Sequence, residues 1–338
     1  MRLILHIGMG KTGTSAVQRA LSQAGDGLRR QRAAYLGMDF DLPDATGPGW
    51  RRRAGLYRSD PEQLARAGQT VAETLARRAA AEGIGTFLLS NESLTGQAAV
   101  MERFLAPIRA VMAVEALAWA RNPTGWLPSA YAQWGIRDKT FPQVPAYREG
   151  ATRLVGHYRG VLEWLERMPE LVRLHAYRRD SDIVAEFAAA AGIDLPPAPE
   201  RFYERREPAE QILRARFAAS IEGRVRPDLF DASVLPPKDN PPPLQRMIAR
   251  YLDYGETGAI VAEHAALFDR IAETSGIDLR ALPEEPPERP QVGPVRNRLI
   301  DLLVEVGLHQ ARRINELEAR IAALEAGGAR APGPEAEG

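Results

Sequence analysis

Near the start of the chain, Gly8-Met9-Gly10-Lys11-Thr12-Gly13-Thr14-Ser15 gathers glycines, one cation and three hydroxyls into a single short segment. Such a segment suits an anion. Glycines let backbone N–H groups turn inward, and at the start of a helix those donors have no intrahelical partner and sit at the positive end of the dipole. The spacing is not the Walker pattern, in which Lys follows the last Gly and precedes Ser or Thr, because Lys11 comes before the Thr-Gly-Thr-Ser run. Lysine is also scarce: Lys11, Lys139 and Lys238 stand against 41 arginines, the 44 basic residues less these three. A compact ammonium fits beside a bridging oxygen in a tight loop, where a planar guanidinium does not.

Two further positions carry chemistry. Glu92 closes the run Phe87-Leu88-Leu89-Ser90-Asn91 and presents a carboxylate where a general base is wanted. The competing reading makes it a helix-start carboxylate, since Ser90 and Asn91 are good N-cap residues and Glu favours a first turn. Arg121-Asn122-Pro123 closes a later apolar run, and Ser129 falls eight residues after Arg121. The histidines are scattered; His6 lies within a strand and reads as a packed core residue, and His157, His175, His264 and His309 have no motif around them.

The stretch His6-Ile7-Gly8-Met9-Gly10-Lys11-Thr12-Gly13-Thr14-Ser15 resembles the 5′-phosphosulfate loop of the sulfotransferases that use 3′-phosphoadenosine 5′-phosphosulfate (PAPS), specifically their bacterial branch. Arg121 with Ser129, followed by Tyr131 and Gln133, is similar to the element that holds the 3′-phosphate, and Asp182 to Phe187 ending at Gly192-Ile193 resembles the later part of the family. The likeness covers roughly residues 1 to 195. It implies PAPS as co-substrate, a hydroxyl-bearing acceptor such as a saccharide, lipid or small molecule, and no metal. It further implies that Gly10, Lys11, Thr12, Gly13, Thr14, Ser15, Arg121 and Ser129 bind the nucleotide, with Lys11 at the leaving oxygen and Glu92 as base. Two features depart from the family: Ala16 stands where many cytosolic members have an adenine-stacking aromatic residue, and no late Arg-x-Gly-x-x-Gly pattern follows. Two other functions stay open, a P-loop kinase using ATP and Mg²⁺ and a non-catalytic nucleotide-binding scaffold.

The elements that must position these residues follow from periodicity. Residues 2 to 7 form an apolar run, and Ala16, Val17, Ala20 and Leu21 after the loop share one helical face. Strand runs are expected at 86–89, 112–119 and 171–177, with helices at 68–82, 101–108 and 182–191. Alternation of this length predicts an α/β fold, P-loop-like, in which a mostly parallel sheet is covered by helices on both faces and ligands bind at the carboxyl ends of the strands. Residues 1–282 are read as this domain, mainly helical in its second half and interrupted by Pro-rich loops at 195–199 and 235–243.

Five prolines in 283–294 mark a linker over 283–295. Over 296–326, Ile300, Leu303, Gln310, Ile314, Leu317, Ile321 and Leu324 recur in steps of three, four or seven, a coiled-coil helix imperfect at Gly307 that would make a homo-oligomer. Residues 327–338 have the composition of a disordered tail. With 44 basic and 44 acidic residues the whole chain argues against nucleic-acid binding, but residues 1–60 hold ten Arg and Lys against five Asp. The run Arg51-Arg52-Arg53 reads as a solvated face. Absence of cysteine removes disulfides and thiolate sites, and the short opening run is neither a signal peptide nor a membrane span, so the expected location is cytoplasmic.

Overall fold

Leu3, Ile4, Leu5 and His6 are all fully buried although their side chains alternate between opposite sides, so strand β1 (Arg2–His6) is covered on both faces. The computed structural model describes residues 1–40, 58–196, 207–219, 221–225, 230 and 242–328. Arg51-Arg52-Arg53, Lys238, most of the stretch 235–243 and residues 329–338 lie outside the described residues. The chain divides into two units, one made of Met1–Gly135, Pro145–Arg205 and Tyr254–Glu288, the other of Ile136–Val144, Arg206–Asp253 and Arg289–Gly338.

The first unit carries a five-stranded sheet, parallel throughout, in the order β2-β3-β1-β4-β5. Its other strands are β2 (Ala33–Tyr35), β3 (Thr86–Ser90), β4 (Ala113–Ala120) and β5 (Val172–Ala176). The expected α/β class with helices on both faces is what the chain adopts. On the face reached by Leu3 and Leu5 pack Val71 and Leu75 of α3 (Pro61–Glu82), Met101, Phe104 and Ile108 of α4 (Ala98–Arg109), and Trp164 of α7 (Gly156–Arg167). Ile4 faces Val17 and Leu21 of α1 (Thr14–Gln23), Leu28 of α2 (Gly25–Arg30) and Phe187 of α8 (Ile183–Ala191). The remaining helices of this unit are α5 (Pro123–Ala130), α6 (Tyr147–Leu154), α11 (Thr257–Glu263) and α12 (Ala265–Ser275).

Boundaries differ from expectation at identifiable caps. Helix α3 starts at Pro61, not near 68, because Asp60 accepts from the Gln63 backbone while the Gln63 side chain accepts from the Asp60 backbone. Strand β2 was not foreseen; three residues are too few to show a period.

In the second unit lie α9 (Pro208–Ala219), α10 (Leu244–Tyr251) and α13 (Val292–Gly328). Lys139 is buried there, and its Nζ donates to the Ala218 carbonyl at 2.8 Å and to that of Ile221. The ammonium thus meets one carbonyl in the last turn of α9 and one just past its end, where helix carbonyls run out of intrahelical donors. Helix α13 begins four residues before 296 and runs unbroken through Gly307, with Ile300, Leu303, Ile314, Leu317, Ile321 and Leu324 exposed. No helix among the described residues is long and apolar enough to cross a membrane.

Candidate functional site

The loop between β1 and α1 is moored to β4: the Ile7 N–H donates to Leu117 O at 2.9 Å and the Met9 N–H to Trp119 O at 3.2 Å. Within it Lys11 has φ 67° and Gly13 φ 81°, both left-handed, and Thr12 between them does not. Left-handed residues next to residues of the other hand are the backbone form from which anion-binding nests are built. A non-glycine residue in this region carries strain of about 1–2 kcal/mol, so Lys11 is held there against its own preference. Gly13 caps α1 without a side-chain acceptor, and no acidic residue stands in the first turn. The donors at the start of α1 are therefore not satisfied by a capping side chain. Thr12 is buried and its hydroxyl donates to Met9 O at 2.5 Å, so what it offers a ligand is its backbone N–H. Thr14 is buried and Ser15 exposed.

Glu92 stands next to this loop. It opens the 3-10 turn Glu92–Gly96 at the end of β3, with Asn91 as the N-cap accepting from the Ser93 N–H at 3.0 Å. The Glu92 carboxylate itself is turned elsewhere, receiving the Gln18 side-chain amide of α1 on Oε2 at 2.8 Å. The Thr95 hydroxyl ties the turn to the loop, lying within bonding reach of the carbonyls of Ile7 at 2.6 Å, Glu92 at 2.8 Å, and Gly8. A Cβ placed on Gly10 would lie 2.8 Å from Trp134 Cζ2 and 3.9 Å from Glu92 Cγ, so glycine is required where the loop passes between them. Trp126 Nε1 donates to Gly10 O at 2.8 Å. Behind Trp134 lies His157, its ring stacked at 4.8 Å and 3°. Nδ1 of His157 faces the Leu154 carbonyl at 3.0 Å and must donate there, leaving the lone pair of the neutral ring on Nε2. Burial lowers the His157 pKa, outweighing the opposing effect of that carbonyl.

Arg121 directly follows β4 and its guanidinium holds Glu284, with Nε 2.7 Å from Oε1 and 2.9 Å from Oε2 and Nη2 bonded to Oε1. Asn122 caps α5 by accepting from the Thr124 N–H at 2.8 Å. Ser129 shares a helical face with Gly125, four residues earlier, and with Asn122. The structure thus groups the predicted residues in two places. Gly10 to Ser15 and Glu92 surround the loop, and Arg121 and Ser129 flank α5. The partners Gln18, Trp126 and Trp134 were missed from sequence; only Gln18, four residues after Thr14 on α1, had a spacing that could have revealed it. Among the described residues no group of three or more His, Cys, Asp or Glu is placed to hold a metal ion.

His6 lies directly under the loop, fully buried, with Nδ1 2.8 Å from Ser90 Oγ and its ring 5.6 Å from Trp119 and 5.2 Å from Phe187. Burial lowers its pKa to about 3 from an ordinary 6.5. Between these values the unfolded chain binds a proton that the folded chain refuses, so stability falls as pH falls through that window. The His6 contribution from pH 7 to pH 5 is expected to be about 2 kcal/mol. Urea unfolding at both pH values should show His6→Gln losing less stability than wild type by that amount; equal losses would refute the assignment. His157 and His175, both lowered mainly by burial, add to the acid sensitivity of both proteins equally.

No protein-family model matches this chain, and no curated protein or solved structure matches it either.

Proposed function

We propose that the protein transfers a sulfuryl group from PAPS to a hydroxyl of a saccharide, lipid or small-molecule acceptor. The observation that carries this reading is the left-handed backbone at Lys11 and Gly13 where α1 starts, with Glu92, whose carboxylate bonds Gln18 of α1, next to the loop. On this reading an anion cradle and a base share one site. The loop also follows the strand flanked by β3 and β4, where the chain switches from one side of the sheet to the other, the position at which open parallel sheets bind ligands.

In the proposed reaction the acceptor oxygen bonds to sulfur while the bond from sulfur to the bridging 5′-phosphate oxygen breaks. Glu92 takes the acceptor proton as it attacks. The Lys11 ammonium is assigned to the bridging oxygen, where negative charge grows, and the backbone N–H groups of residues 11–15 to the 5′-phosphate. The product nucleotide is adenosine 3′,5′-bisphosphate, whose 3′-phosphate is assigned to Arg121 and Ser129.

The test is calorimetry with adenosine 3′,5′-bisphosphate and AMP. The bisphosphate is expected to bind about tenfold more tightly or better, the scale of one charge-assisted bidentate contact. Arg121→Ala should abolish that preference in a folded protein. Equal affinities both in the wild type and after removal of the Glu284 carboxylate that holds Arg121 would overturn the 3′-phosphate assignment.

The same reading gives α13 a role in assembly, because its exposed apolar residues at 300, 303, 314, 317, 321 and 324 form one heptad seam. Light scattering should find an oligomer for the full chain and a monomer when 296–326 are removed. Monomers in both cases would end this part of the proposal.

A further inference from the structure

Resting on the PAPS reading, we infer that Glu284 is an internal competitor for the nucleotide 3′-phosphate, a carboxylate of the chain's own that fills the anion site at Arg121. The pair is well withdrawn from solvent, with side-chain exposures of 13% for Arg121 and 14% for Glu284. Nε lies 2.9 Å from Oε2 and Nη2 bonds Oε1, so two nitrogens of the guanidinium meet the two carboxylate oxygens, the side by which arginine also takes a phosphate. The carboxyl group lies so close over Gly125, on the first turn of α5, that any Cβ there would collide with it. An anion is therefore already seated between a guanidinium and the start of a helix, on the face that Ser129 shares.

The segment bearing Glu284 is fastened in place independently of the ion pair. Asn122 Nδ2 donates to the carbonyls of Leu282 and, at 3.3 Å, Arg280. Asp278 starts the 3-10 turn Leu279–Ala281 by accepting from the Arg280 N–H at 3.0 Å. Arg121 is fixed from the other side, since the Tyr158 hydroxyl donates to its carbonyl at 2.7 Å. Tethering keeps the effective concentration of this carboxylate high, so a free phosphate must displace it and binds more weakly by the amount of that competition. AMP, which has no 3′-phosphate, has nothing to displace at Arg121. Glu284 accordingly sets how strongly the protein distinguishes the two nucleotides.

Calorimetry with adenosine 3′,5′-bisphosphate and AMP on wild type and Glu284→Ala tests this. The variant should bind the bisphosphate about tenfold or more tightly than wild type, with AMP affinity unchanged. Glu284→Gln, which keeps an acceptor oxygen for Arg121 and so protects the fold, carries the same expectation with a smaller gain. If wild type prefers the bisphosphate and neither variant tightens it, the competition is refuted while the PAPS reading stands. If both nucleotides tighten equally, Glu284 acts on the site as a whole and the inference again fails. If none of the three proteins distinguishes the nucleotides, the PAPS reading falls and takes this inference with it.

Discussion

Glu92→Gln is expected to lower turnover on the acceptor by about a hundredfold or more while PAPS affinity stays at the wild-type value, the pattern for losing a group that acts only in the transition state. The substitution keeps the size of the side chain. It also keeps an oxygen for the Gln18 amide, which now bonds Oε2 at 2.8 Å, so the loop and α1 lose no tie. Rapid-mixing assays with labelled PAPS, paired with calorimetry of the donor, separate the two quantities. Weakened PAPS binding in the variant would mean that the carboxylate positions the loop through Gln18 and is not the base. Unchanged binding and unchanged turnover would move the base elsewhere, and His157 is the next group to examine. Its Nε2 carries the free lone pair of a ring kept neutral by burial, and that ring is stacked on the Trp134 that covers Gly10. A protein that binds PAPS yet transfers nothing, with or without Glu92, would favour the nucleotide-binding scaffold.

Much of the frame was legible because it rests on short-range pattern. The apolar runs at 2–7, 86–89 and 112–119 became β1, β3 and β4 within one or two residues, since strands buried on both faces read as continuous apolar runs; the candidate at 171–177 became β5, a partly exposed strand. The start of α3 was legible too and was overlooked: Asp60-Pro61-Glu62-Gln63 has the capping pattern, and the structure uses it. What could not be read is long-range closure. Glu284 meets Arg121 across 163 residues of chain, from within a proline-rich stretch whose composition speaks of a linker. Trp134 lies over Gly10 although neither position has a periodicity that refers to the other. Asn91 shows where local and distant forces divide: its cap was predictable from residue type, whereas the direction of the neighbouring Glu92 carboxylate depends on where α1 sits relative to β3.

The loop lysine permits a sharper test, in which stability and activity move in opposite directions. Lys11 sits at φ 67°, a conformation that costs a side-chain-bearing residue about 1–2 kcal/mol and costs glycine little. Lys11→Ala keeps that strain and removes the ammonium; Lys11→Gly removes both. Turnover should fall about a hundredfold or more in each, and PAPS affinity should fall with it, because a charge at the bridging oxygen, the role proposed for Lys11, would serve donor binding as well as the transition state. Thermal and urea unfolding should nevertheless find Lys11→Gly about 1 kcal/mol more stable than Lys11→Ala. A loop that had lysine merely as a surface residue would behave otherwise: Lys11→Gly would then be the more stable protein and as active as wild type. Retained turnover in the glycine variant would therefore remove Lys11 from the chemistry, and with it the reason for a strained lysine at the mouth of α1.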